Sequence, residues 1–123
     1  MNGRQKGRRI EKEFEDLLKQ YGFLVNPTPA GTMFNRHTDH WGMFDAEAIS
    51  IIEPALTFLF QIATRWKCGQ ELKAIEQFPA SPWRKVFMVR RKDRKEFELK
   101  EWVGGRWMDE GLTSFLNCYG KRI

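Results

Sequence analysis

The sequence predicts a mixed α/β (α+β) domain, a central β-sheet with helices packed on it, in the order α-β-β-α-β-β-α. Three observations lead to this prediction. Apolar residues recur at helical spacing near both ends of the chain, short strand-like runs lie between them, and Pro or Gly separates the segments. With 123 residues, 41% of them apolar, the chain holds one core and not two. We expect a single domain over residues 1–123, with a basic N-terminal arm at 1–7 and a C-terminal helix at about 110–119.

The first helix is predicted over Gly7–Tyr21, followed by Gly22 as its stop signal. Its apolar residues form one stripe: Ile10, Phe14, Leu17, Leu18 and Tyr21. At about 100° per residue, Glu11 falls beside Leu18 at the border of that stripe, so its carboxylate is held against the domain. A short apolar segment, Phe23–Val25, follows, and a polar loop is predicted over 29–41.

The middle and the end of the chain supply the remaining elements. Strands are predicted at Met43–Ile49 and Thr57–Thr64, and the second is almost wholly apolar and therefore central, with Gln61 in its middle. A helix at Gly69–Phe78 comes next. Strands at Trp83–Arg90 and Glu96–Trp102 then lead to a break at Gly104 and Gly105 and to the closing helix.

Composition limits the possible functions. The net charge is +5, and the cations are clustered, four within 4–9 and seven within 84–95, which favours a polyanion such as nucleic acid; a solvated basic face is the alternative. The longest apolar run, 56–63, is too short to cross a membrane, and no apolar segment follows the basic N-terminus as in a secretory signal. The two cysteines lie far apart and fit neither a zinc site nor a disulfide framework. We expect a cytoplasmic protein.

Three polar side chains form the best candidate site. Glu11 lies on the first helix, and Asp45 and Gln61 lie on consecutive strands that a short connection should place side by side. With a backbone carbonyl such as that of Ile62, they make an all-oxygen set that suits Mg²⁺, or Mn²⁺ as a substitute, and not zinc. Such an ion activates water against a phosphodiester, so an acidic pocket on a basic surface is typical of a nuclease.

This arrangement resembles the PD-(D/E)xK nucleases, and among them the archaeal-type Holliday junction resolvases. The family has a glycine, a helix with a catalytic glutamate and a Gly-aromatic step into a strand, similar to Gly7, Glu11 and Gly22-Phe23 here. An aspartate begins the next strand, as in Phe44-Asp45-Ala46, and the (D/E)xK motif follows in the strand after it, at Gln61-Ile62-Ala63. The resemblance covers roughly residues 3–100.

The resemblance implies a restriction-endonuclease-like fold and a Mg²⁺-dependent endodeoxyribonuclease that resolves four-way DNA junctions as a homodimer, without contact with a membrane. Glu11, Asp45, Gln61 and the Ile62 carbonyl would hold the metal. Gln61 replaces the usual acid, and Ala63 occupies the lysine position, so Lys67 or Lys73 is expected to substitute for the lysine and Thr64 to supply a hydroxyl.

The residues expected to contact branched double-stranded DNA are Arg4, Lys6, Arg8, Arg9, Arg36, Arg65 and Trp66. Two alternatives stay open, a nuclease for another DNA substrate and a junction-binding protein that does not cut. The resemblance is consistent with a prokaryotic cell, and with a phage or archaeal gene.

Overall fold

The structure, a computed structural model, describes residues 3–27, 43–52, 55–91 and 96–122, with residues 3–7 and 27 described by their backbone alone. Its elements are α1 (Gly3–Gln20), β1 (Leu24–Pro27), β2 (Ala46–Ile49), β3 (Thr57–Ala63), α2 (Gly69–Gln77), β4 (Arg84–Arg90), β5 (Glu98–Val103), β6 (Arg106–Glu110) and α3 (Leu112–Tyr119). The predicted loop at 29–41 lies outside the described residues.

The described strands form one six-stranded sheet in the order β1-β2-β3-β4-β5-β6. Only β3 and β4 are paired in parallel, and α2 makes the crossover between them. The other neighbouring pairs are antiparallel. The predicted class, a mixed sheet with helices packed on it, is confirmed.

The sheet separates two apolar clusters. Helices α1 and α3 pack on one face, and the main core there includes Phe14, Phe58, Phe60, Phe87 and Phe115, each with no exposed surface. Helix α2 packs on the other face, where Ile75 joins Phe44, Leu59 and Val86. Alternation along β3 therefore turns Phe60 and Ile62 toward α1, and Leu59 and Gln61 toward α2.

Helix α1 ends as predicted but begins earlier. Gly22 has φ +80°, and the N–H groups of Phe23 and Gly22 donate to the carbonyls of Leu18 and Lys19, which closes the helix with a Schellman motif. The helix starts at Gly3, so residues 3–7, predicted as an arm, are helical. Good helix formers between the two glycines (Arg, Gln and Lys) allow the helix to extend back past Gly7.

The sheet has two strands more than predicted. Phe23–Val25 was expected as a short apolar segment, and the structure has β1 one residue further on. Gly104 and Gly105 were expected to end the last strand, but their φ values of +57° and +84° form a tight hairpin turn that leads into β6. The closing helix consequently begins at Leu112 instead of Glu110.

Both parallel strands finish at the same edge, β3 at Ala63 and β4 at Arg90, and we call this edge the carboxyl end of the sheet. Helix α2 begins there because it follows β3. The first half of α1 lies there too, because Glu13 forms an ion pair with Arg91. Helix α3 follows β6, whose last residue pairs with Leu99 near the start of β5, so it also begins at this end.

Candidate active site

Asp45 closes the β2–β3 ladder with its side chain. The last β2–β3 register pair is Ala46 with Phe60. Beyond it, the Asp45 N–H donates to the Phe60 carbonyl at 2.8 Å, and the Ile62 N–H donates to Oδ2 of Asp45 at 2.7 Å. A carboxylate thus takes the place of the backbone acceptor where the two strands separate.

Gln61 and Ile62 bring two more oxygens to the same place. In a strand, the N–H and C=O of one residue point to the same side, so the Ile62 carbonyl faces the side on which its N–H meets Asp45. Gln61 is 5% exposed, and its Nε2 lies 3.4 Å from the Ile62 oxygen, to which it donates. Because the Gln61 amide nitrogen makes that contact, its Oε1 is left to serve as an acceptor or ligand.

Asp45 and Gln61 line a pocket of about 340 Å³ between the sheet and α2, and the Ile62 backbone lies next to it through its hydrogen bonds with these two side chains. Its polar walls are Asp45, Gln61, Lys67 and Glu71, and its apolar walls are Met43, Ala74 and Ile75. At roughly 30 Å³ per water molecule, this volume holds a hydrated divalent ion with room for a phosphate oxygen. The structure therefore brings together three of the four predicted oxygen donors.

The fourth predicted donor, Glu11, lies on the other face of the sheet and is not among the described residues that line this pocket. It is half-buried on α1, one residue after Ile10, as its border position predicted. Glu13 is directed toward Arg91 at the end of β4. Each residue of a helix advances the side-chain direction by about 100°, so Glu11 and Glu13 differ in direction by about 160°. Glu11 therefore points to the opposite side of α1, the side that lies over β2 and β3.

The two lysines proposed as substitutes are in different positions. Lys67 lines the pocket and forms an ion pair with Glu71 at 3.0 Å. Lys73 is exposed and is not one of the described lining residues. Ala63, at the motif lysine position, is the last residue of β3, and Thr64 is exposed just beyond it. Lys67 is the better candidate.

The predicted DNA-contacting residues divide into three groups: exposed cations, residues whose side chains the structure does not describe, and Trp66. Arg8 and Arg9 are exposed on α1, and Arg65 is exposed after β3, so these three cations lie near the carboxyl end of the sheet. Arg4 and Lys6 fall within α1, but their side chains are outside the described residues, as is all of Arg36.

Trp66 is half-buried, and its partners belong to the protein itself. Arg90 and Lys100 lie over its ring at 4.6 and 4.8 Å from the centroid. Arg90 is also paired with Glu98, its Nε 2.8 Å from Oε2. These residues border a second cavity of about 560 Å³, on the β5–β6 side of the carboxyl end. Trp66 is therefore a platform that already carries two cations.

The walls of the second cavity also contain carboxylates, among them Glu110. Burial raises the pKa of Glu110, the charge of Glu101 raises it further, and Lys85 partly offsets both effects. Lys85 itself is paired with Glu101 at 3.3 Å.

Sequence reasoning missed Glu71, Arg90 and Lys100. Glu71 had no clear signal in the sequence, because Lys67 precedes α2 and the helical i, i+4 rule does not apply to this pair. Arg90 was not singled out because it is one of seven cations in the run at 84–95. In the structure Arg84 and Arg90 lie at opposite ends of β4, and Lys85 points to the α3 side, so the described part of this run does not form one patch.

The carboxyl end of the sheet carries a favourable field for an anion. All three described helices begin there, and the N-terminus of a helix bears a partial positive charge. Exposed Arg8, Arg9 and Arg65 lie at this end of the sheet, and two carboxylates, Asp45 and Glu71, line the pocket. The arrangement combines an acidic pocket with a surface that attracts phosphate.

Within the described ranges, no three His, Cys, Asp or Glu side chains gather as a metal-binding group. The predicted set contains only two carboxylates, and its other oxygens belong to an amide and a carbonyl. Comparison of the chain with protein-family models, with curated proteins and with solved structures finds no match. In the part of the chain that the structure describes, no helix has both the length and the apolar character needed to span a membrane.

Proposed function

We propose that the protein is a metal-dependent, structure-selective DNA endonuclease of restriction-endonuclease-like fold, which resolves four-way junctions by paired phosphodiester hydrolysis. The observation that carries the proposal is the pocket that Asp45 and Gln61 line beside Lys67, with the Ile62 backbone in hydrogen-bond contact with both of the first two side chains. The order of elements supports it, because the helix with Glu11 precedes β1, Asp45 comes just before β2, and Gln61 lies in β3.

The chain's own groups would divide the work of the reaction. Asp45, Gln61 and the Ile62 carbonyl would hold Mg²⁺, with Glu11 reaching it from α1. When bound, the ion supplies a nucleophilic water and neutralises charge on the phosphate. The water oxygen bonds to phosphorus, the bond to the leaving oxygen breaks, the water loses a proton and the leaving oxygen gains one. Lys67 would place a positive charge beside the reacting phosphate.

The proposed partners are branched double-stranded DNA and a second copy of the chain. A four-way junction has two-fold symmetry, and paired cuts in it call for two active sites related by the same symmetry. Trp102 and Trp107, on β5 and β6, are partly buried and pack against each other and against the apolar cluster on the α2 side of the sheet.

The proposal is tested with a labelled four-way junction incubated with Mg²⁺, Mn²⁺ or EDTA, beside the variant Asp45→Asn. Asparagine keeps an oxygen acceptor for the Ile62 N–H and removes the charge. We expect paired symmetric nicks that need metal and vanish in the variant. Linear duplex cut as readily as junctions would remove the resolvase assignment and keep the nuclease.

A second function has an observation in its favour. Ala63 leaves the motif without its lysine, and Gln61 leaves it without its second acid, as in a nuclease scaffold that has lost catalysis and binds junctions only. A shift of the junction in a gel, with no cutting under any metal, selects this alternative.

A further inference from the structure

Lys67 and Glu71 form an ion pair at the mouth of the pocket. The Lys67 Nζ lies 3.0 Å from Oε2 of Glu71, and both residues line the pocket that contains Asp45 and Gln61. Among the described residues, Glu71 provides the one carboxylate within ion-pair distance of this ammonium. The role inferred for this pair rests on the proposed nuclease function and concerns how Lys67 is held in place.

The position of Glu71 on α2 directs its side chain toward the pocket. Its side chain is 69% exposed, but it lies one helical turn before Ile75, which is 2% exposed and packs on the sheet. Glu71 is thus on the sheet-facing side of α2 at the turn that overhangs the pocket. Lys73, two residues further, is turned about 160° away from it.

Lys67 needs such a support because of its chemistry. A lysine ammonium is a point charge on a flexible four-carbon stem, and holding it in one place restricts several rotatable bonds. The motif lysine of the resembled family projects from a strand, whereas Lys67 precedes a helix outside any strand. A carboxylate on the first turn of α2 replaces the rigidity that a strand position would give.

We propose that Glu71 is a positioning residue that holds the Lys67 ammonium over the pocket, where it meets the phosphate to be cut. Lys67 and Glu71 then act as a unit, and the pair stands in for the lysine missing at Ala63. Glu71 contributes to the reaction only through Lys67 and does not bind the metal.

The test is a double-mutant cycle measured by single-turnover cleavage of a four-way junction with Mg²⁺. We expect Lys67→Ala to slow cleavage about a hundredfold, as the loss of one charge-stabilising group does. Glu71→Gln should slow it about tenfold, with unchanged junction affinity and melting temperature. In the Lys67→Ala background, Glu71→Gln should have no further effect, because residues that act as a unit are not additive. Lys121→Ala, which removes an exposed lysine that is not among the described lining residues of the pocket, is the control, expected at the wild-type rate.

Each other result overturns the inference. An equal loss from Glu71→Gln with and without Lys67 means that Glu71 acts independently of the lysine. Full activity of either single variant removes that residue's role, and retained activity of Lys67→Ala and Lys73→Ala together ends the idea of a substitute lysine. The nuclease proposal survives all of these, since they concern variants, whereas that proposal fails when the wild-type protein cuts no DNA with either Mg²⁺ or Mn²⁺.

Discussion

Asp45 connects the fold to the proposed chemistry, because one carboxylate oxygen accepts the Ile62 N–H while the side chain lines the pocket. Its structural and chemical roles are separable by substitution. Asparagine keeps the hydrogen-bond acceptor and loses the charge, whereas alanine loses both.

We predict that Asp45→Ala lowers the free energy of unfolding by about 1 to 3 kcal/mol, since it leaves the Ile62 N–H without its acceptor. Asp45→Asn should stay within about 1 kcal/mol of wild type, because a neutral acceptor makes a somewhat weaker bond than a charged one. Urea denaturation followed by circular dichroism measures both. Equal destabilisation by the two variants would show that the charge, and not the hydrogen bond, holds β2 to β3.

Glu110 gives a pH-dependent prediction at the same scale. Its pKa is raised above 4.5, mainly by burial and then by the charge of Glu101. A raised carboxyl pKa means that the folded state disfavours the ionised form of Glu110. The stability that the protonated group contributes is therefore complete below pH 4.5, and it is lost as the pH rises through the folded-state pKa.

Glu110→Gln, which stays neutral, should therefore melt at a higher temperature than wild type at pH 7. The difference should shrink as the pH is lowered toward 4.5. Thermal unfolding at several pH values measures it, with Asp16→Asn, an exposed change on α1, as the control. A difference that is constant with pH would mean that packing and not charge separates the two proteins.

At the scale of elements, the β5–β6 hairpin depends on its turn. Gly104 and Gly105 both have positive φ, as a two-residue type I′ turn requires, and a Cβ on either would meet open space. Only backbone conformation therefore limits substitution here. The hairpin places Trp107 against α2, where its Nε1 donates to Oε2 of Glu76 at 2.8 Å.

We predict that Gly104→Ala destabilises the protein by about 1 to 2 kcal/mol, the cost of left-handed backbone for an ordinary residue. Gly104→Asn should be nearly neutral, since asparagine adopts this conformation readily and Asn-Gly is a favoured hairpin pair. Urea unfolding compares the two, with tryptophan fluorescence reporting on Trp102 and Trp107. Equal losses for the two variants would contradict the turn assignment.

The same turn shows where sequence reasoning about elements stops. Long periodic segments such as α1 and the apolar strand β3 were predicted to within a few residues, because burial of one face or of both determines them. Strand β6 was missed because Gly104-Gly105 was interpreted as a break, although two adjacent glycines between Trp102 and Trp107 are also a hairpin signal. Strand β1 has four residues, one of them Pro27, and its pairing with β2 is a tertiary contact that local sequence does not encode.

At the scale of the whole molecule, the sequence predicted which site residues converge. It did not predict which neighbouring residues support them. Asp45 and Gln61 come together because the short β2–β3 connection makes these strands neighbours. Glu71 and Lys100 could not be placed from sequence, since their positions depend on how α2 and β5 lie against β3 and β4. The described cations of the basic run at 84–95 are divided between the two ends of the sheet for the same reason.

The ends of the molecule differ in what they offer to DNA. Among the described residues, the carboxyl end combines three helix N-termini with exposed Arg8 and Arg65. Arg106 and Arg122 are equally exposed but lie at the opposite end, next to the hairpin turn and to the end of α3. Two double variants with the same change in net charge therefore separate a specific DNA surface from general attraction.

We predict that Arg8→Gln with Arg65→Gln weakens junction binding and reduces the slope of log affinity against log salt by about two, roughly one for each phosphate that the variant no longer neutralises. Arg106→Gln with Arg122→Gln should leave the slope unchanged, because counterions are released only where cations meet phosphate. Fluorescence anisotropy of a labelled junction between about 50 and 200 mM salt, with Ca²⁺ in place of Mg²⁺, gives both slopes. Equal slope changes in the two variants would mean that DNA meets this protein through its net charge alone, and that the carboxyl end of the sheet is not its binding face.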